Sequence, residues 1–108
     1  MLNGLIEYDG EKVWYLNGEL HREDGPAIEM LDGIKEWYLN GRRHRLDGPA
    51  IEGGWLGDEW WANGLRHRLD GPAIEYPSGT KAWYIHGEYI HCKTNEEFLR
   101  LVKLKAFW

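Results

Sequence analysis

The chain is poor in cysteine, in net positive charge and in long apolar runs, and each shortage closes a class of protein. Its single cysteine, Cys92, cannot form an internal disulfide, so nothing asks for an oxidising compartment and a cytoplasmic location is the default. No apolar run approaches the roughly 20 residues that a bilayer span needs, so no membrane association is expected. No basic-then-apolar leader precedes Gly4, and no secretory signal is expected either. Lys and Arg number 13 against 18 Asp and Glu, a net charge of −5, which disfavours direct nucleic-acid binding through phosphates. The deficit is local: residues 1–33 carry eight acids against Lys12 and Arg22. Such an acidic end suits a partner with a basic surface, and it also serves as a solvated edge that keeps the chain soluble.

What the chain does have is glycine and tryptophan, 14 and 7 in 108 residues. With 43% hydrophobic and 29% charged residues the composition is that of one globular domain, and the Gly-aromatic bias points to many turns and short strands. The order of these residues is periodic. Trp14, Trp37, Trp60 and Trp83 follow one another at intervals of 23. Around the first three the chain reads VWYLNGELHREDGPAIE, EWYLNGRRHRLDGPAIE and EWWANGLRHRLDGPAIE; around the fourth it decays to AWYIHGEYIHCKTNE. A partial unit at 4–13 precedes them, so residues 1–93 read as an array with atypical ends, as stacked units require.

Each unit has a mechanical reading. Asn17-Gly18, Asn40-Gly41 and Asn63-Gly64 supply the positive φ angles of a type I′ hairpin turn after an aromatic strand. Asp24-Gly25-Pro26 and its copies at Asp47 and Asp70 form a second turn, with Gly expected to relax φ and Pro to fix it. The Ala-Ile-Glu triplets at 27–29, 50–52 and 73–75 alternate as half-buried strands do. Two main strands per unit fit the period, one through the Trp-Tyr pair and one through Ala-Ile-Glu. The expected fold is therefore all-β, an antiparallel sheet of repeated 23-residue β-hairpin units.

This pattern, W-Y-x-N-G-x-x-H followed by a strand and an L-D-G or P-S-G turn, resembles the MORN repeat over roughly residues 4–91. More narrowly it is similar to the H-R-x-D-G-P-A variant of small bacteriophage and bacterial proteins. The departures are Arg22, Arg45 and Arg68, which stand where Gly normally follows His, and the added D-G-P-A. The resemblance implies a curved single-layer sheet and a role in binding and scaffolding rather than catalysis. A single-layer sheet has a face in need of cover, which a homodimer would supply.

Residues 94–108 differ in kind. Thr94-Asn95-Glu96-Glu97 is a capping box, and Phe98, Leu101, Val102 and Lys105 then share a face, with Leu99, Leu104, Phe107 and Trp108 beside it. A capping helix over 94–107 is expected, docked on the last unit and closing the sheet edge. The alternative is a helix that projects to contact a partner.

Candidate chemistry is thin. His21, His44, His67 and His91 suggest zinc, but equivalent residues two strands apart lie about 10 Å from each other, too far for one ion. They read instead as turn staples, each bonded with its Arg and Asp, and no metal or cofactor is expected. Ser78 is a turn residue, Cys92 takes the place of an Arg in the pattern, and Glu29, Glu52 and Glu75 recur as surface carboxylates, so no catalytic site is expected.

Function is then sought in what does not repeat. Gly53-Gly54-Trp55-Leu56-Gly57 replaces the short turn of the other units, and Trp61 replaces a Tyr. Trp, Tyr and Arg are the residues enriched at binding hot spots. The candidate binding residues are therefore Trp55, Trp61, Arg43, Arg66 and Tyr76, with the acidic Glu19 and Glu23 as a second group. Trp55 reads either as a contact residue or as a lid folded over the sheet. The favoured function is a protein-binding module. Given the phage-like resemblance, its concrete form is an inhibitor that occupies a host defence protein in the host cytoplasm. The alternatives are an acidic nucleic-acid mimic and a small-ligand binder with an aromatic pocket.

Overall fold

The 23-residue period becomes a recurring backbone circuit in the computed structural model, which describes residues 1–104. The chain opens with β1 (Gly4–Tyr8), β2 (Glu11–Leu16) and β3 (Glu19–Leu20). One unit then supplies β4 (Ile28–Glu29), β5 (Lys35–Glu36), β6 (Tyr38–Leu39) and β7 (Arg42–Arg43). The next supplies β8 (Ile51–Gly54), β9 (Gly57–Glu59), β10 (Trp61–Ala62) and β11 (Leu65–Arg66). β12 (Ile74–Glu75), β13 (Lys81–Ile85), β14 (Glu88–Ile90) and α1 (Asn95–Lys103) close the described chain. The main antiparallel sheet runs β1-β2-β4-β5-β8-β9-β12-β13-β14, with β3 on β2, and two separate hairpins are formed by β6–β7 and β10–β11. The fold is all-β and antiparallel, with one helix among the described residues, in a slab of 45 × 29 × 18 Å.

The expected single strand through the Trp-Tyr pair is divided in the middle units, and the tryptophan is the point of division. The Trp37 N–H donates to the Ala50 carbonyl of the main sheet (2.8 Å), while its own carbonyl accepts from His44 N (3.1 Å) in the hairpin. Trp60 does the same with Ala73 and His67. The strand thus changes partners at the indole, and each middle unit spends four short strands instead of two. The hairpins still stand in a row, because Gly41 N donates to Leu20 O and Gly64 N to Arg43 O, both at 2.9 Å. Their tips are as expected, with φ of 50° at Asn40 and 78° at Gly41.

Ala27, Ala50 and Ala73 are fully buried, each with its carbonyl accepting from the N–H of a repeat tryptophan, Trp14, Trp37 and Trp60. The larger core lies at the end of the array, where Phe98 of α1 is fully buried against Trp83, Ile85 and Ile90. Thr94 caps the helix, its Oγ1 accepting from Glu97 N at 3.1 Å. So α1 docks on the last unit. The expected continuation to residue 107, with Lys105, Phe107 and Trp108, lies outside the described residues.

Candidate functional site

Alternation along the strand sends Trp37 to one face and its neighbours Glu36 and Tyr38 to the other. On the tryptophan face, the H-R-x-D-G-P loops are built by arginine. The Arg22, Arg45 and Arg68 guanidinium carbons lie 3.8, 3.8 and 3.9 Å over the Trp14, Trp37 and Trp60 rings. Arg45 also donates to Asp47 (2.9 Å), the Pro49 carbonyl (3.1 Å) and Glu52. That pairing holds the Asp24 and Asp47 carboxyls below the usual carboxylate range, with Arg22 and Arg45 as the respective causes. Gly25, Gly48 and Gly71 do not have positive φ, contrary to expectation. They are glycine because a Cβ at 48 would stand 2.7 Å from Arg45 Cζ.

The histidines staple neighbouring units together through Nδ1, not each with the Arg and Asp of its own turn; His21 also meets Glu23 of its own loop through Nε2 at 3.4 Å. His21 Nδ1 accepts from Asn40 N (2.9 Å), His44 from Asn63 N (3.0 Å) and His67 from His86 N (2.9 Å). Accepting at Nδ1 requires a neutral ring with its proton on Nε2. Burial, then the nearby His86, pushes the His67 pKa down. His91 does not belong to the series. Ile90 faces Trp83 in register as His67 faces Trp60, so His91 stands in the arginine position and Cys92 where Leu46 and Leu69 stand.

On the opposite face, three of the expected residues come together. Arg43 lies 5.7 Å from the Tyr38 ring centre and 5.1 Å from that of Trp61. Arg66 lies 5.2 Å from Trp61 and 5.4 Å from Tyr84. The result is an alternating ladder of rings and cations, Tyr38–Arg43–Trp61–Arg66–Tyr84, extended by the edge contact of Tyr84 with Tyr89. Two carboxylates anchor it from below. Glu36 accepts from Tyr38 (3.1 Å) and Arg43 (3.4 Å), and Glu59, only 5% exposed, accepts from Trp61 Nε1 and Arg66 Nε at 3.2 Å each. The Tyr38 pKa is raised by burial and then by the Glu36 charge.

Trp55 is 93% exposed at the tip of the β8–β9 hairpin, so it is no lid. It shares a recess of about 310 Å³ with Arg43, Met30, Ile34, Leu56 and Glu59, which joins it to the ladder face. Tyr76 borders a recess at the other end with Tyr84 and Tyr89. Glu19 and Glu23 are not part of this assembly. Glu19 lies against the Gly41 turn, and Glu23 stands exposed on a loop beside His21. Glu36 and Glu59 went unnoticed in the sequence, although a signal was there. The residue before each Trp is Val13, Glu36, Glu59 and Ala82, and the two glutamate units are the ones that supply the ladder's arginines, Arg43 and Arg66.

Compared with protein-family models, curated proteins and solved structures, the chain matches none.

Proposed function

We propose that this chain is a non-catalytic, protein-binding repeat module that contacts its partner through the face formed by Trp55, Arg43, Trp61 and Arg66. The observation that carries this reading is Trp55. A side chain left 93% exposed gains little for stability where it stands, and a partner surface is what would desolvate it. The ladder beside it is pre-ordered by the buried Glu59 and the partly buried Glu36, so its rings and cations lose little side-chain freedom on association.

The resemblance to the H-R-x-D-G-P-A variant gives the proposal a concrete form, an inhibitor that occupies a host protein. Among the described residues no helix is long and apolar enough to cross a membrane. The acidic-mimic reading is less well supported. Asp24, Asp47 and Asp70 do recur along one ridge, but each is paired with an arginine, whereas a phosphate mimic needs uncompensated charge.

The test is affinity capture from bacterial lysate with the wild-type chain and with Trp55→Ala in parallel. A single stoichiometric protein is expected on the wild type. Its affinity should fall about thirtyfold or more on truncation, the roughly 2 kcal/mol of a hot-spot aromatic, with an unchanged melting temperature. Retention of that protein with equal affinity by Trp55→Ala would place the contact elsewhere.

A further inference from the structure

The face opposite the ladder carries a series of clefts between successive H-R-x-D-G-P loops. The first, of about 560 Å³, is lined by Trp37, Leu39, His44 and Leu46 together with the preceding loop at Arg22–Gly25. The second, of about 370 Å³, is lined by Trp60, Ala62, His67 and Leu69 with the loop at Arg45–Asp47. Advancing by the 23-residue period gives Trp83, Ile85, Ile90 and Cys92 with the Leu69 loop. These are the residues gathered around Phe98 of α1. The third cleft is therefore the same structure as the first two, and the chain has filled it with its own helix.

Filling changes the cleft in a measurable way. In the third, Trp83 is 5% exposed, its ring tilted against Phe98 at 6.3 Å and its Nε1 donating to Asn95 at 3.0 Å. In the open ones, Trp37 and Trp60 remain half-buried and Leu46, which borders both clefts, is 77% exposed. The rim of the first cleft is acidic in balance, with Glu23, Asp24 and Asp47 against Arg22 and Arg45, and Glu23 is exposed. The rim of the second is balanced, Asp47 and Asp70 against Arg45 and Arg68.

We infer that the two open clefts are docking sites for an amphipathic helix of a partner protein. That helix presents one aromatic side chain to the cleft, as Phe98 does, and carries Lys or Arg beside it. The proposal goes beyond the Trp55 face, because it uses the opposite surface and a different set of residues.

The experiment uses the full chain and, as probe, a fluorescent peptide with the sequence of residues 94–104, bridged across exposed positions 96 and 100 to hold it helical. Saturable binding by anisotropy is expected. It should be lost at least tenfold when the peptide carries Phe98→Ala, or when the protein carries Leu46→Asp or the milder Leu46→Ala. Trp55→Ala should leave it unchanged, which separates this surface from the ladder face. Two lysines added to the peptide should strengthen binding severalfold at low salt and much less at high salt. Absence of binding, or binding indifferent to Leu46, which would report exchange at the α1 position, overturns the proposal. So does a dimer of the protein alone that Leu46→Asp dissociates, since the occupant would then be a second copy.

Discussion

Replacing Gly48 with alanine tests the arginine-built loop most sharply, because two effects of opposite sign compete there. Gly48 has no positive φ, so alanine fits its backbone, and the stiffer unfolded chain should stabilise the protein by about 0.4–1 kcal/mol. Against this, the new methyl carbon would stand 2.7 Å from Arg45 Cζ and 3.0 Å from Nε. The guanidinium must move to make room, and the expected outcome is that it leaves its stack on Trp37. Its departure forfeits a stacking contact of about 0.5–2 kcal/mol and a hydrogen bond to the Pro49 carbonyl of about 1 kcal/mol or more. The half-exposed Glu52 pair adds at most about 1 kcal/mol. Arginine loss outweighs the entropic gain, and a net destabilisation of about 1–3 kcal/mol follows, or several degrees in melting temperature for a domain of this size. The decisive assay is a double-mutant cycle by urea unfolding, followed by tryptophan fluorescence. In an Arg45→Met background the same Gly48→Ala change should become neutral or stabilising. A neutral single mutant, or a penalty that persists without the arginine, would refute the account of why glycine stands between Asp and Pro.

Three further outcomes are expected. The neutral His67 staple implies stability that is fully present above about pH 6.5 and declines as pH falls, because burial and His86 lower the folded-state pKa and the unfolded chain binds more protons. Urea midpoints at pH 7.5 and 5.5 should show that decline in the wild type and less of it in His67→Leu; identical pH profiles would remove the staple from the explanation. Arg66→Ala strips the buried Glu59 of a charge partner and should cost about 2–4 kcal/mol, and Glu59→Leu in that background should recover part of it; thermal unfolding of the wild type and the two variants decides. Because His21, His44 and His67 each give Nδ1 to a backbone N–H, the purified protein should carry no stoichiometric zinc and melt identically with and without chelator; one bound equivalent by elemental analysis would contradict this.

Turn chemistry was readable directly. Asn40-Gly41 takes the left-handed backbone that its residue types favour, and the Thr94 cap appears at the start of α1, because both are settled by residues within four positions of one another. The candidate site was half readable. Arg43, Trp61 and Arg66 stood out as hot-spot residue types, but nothing local showed that they alternate in one ladder. The remaining pieces need more than residue type at a turn. The backbone partner of His21 is Asn40, in the next unit, and the role of Gly48 depends on how the Arg45 side chain within its own loop packs on Trp37. The place of His91 follows from the period alone, since it stands 23 residues after Arg68.

The 23-residue spacing, the turn residues and the alternation of small, apolar and charged positions determine by themselves that this chain is an antiparallel β array with a helix at its end. These are properties of adjacent residues, and backbone sterics and burial act on them at short range. Only the tertiary structure decides that each strand changes partners at its tryptophan, that His21 reaches forward to Asn40, and that Glu59 is buried beneath Trp61 and Arg66. The twist and register that stack one unit on the next bring these groups together. The same stacking makes three equivalent clefts and leaves a helix at hand to fill just one of them.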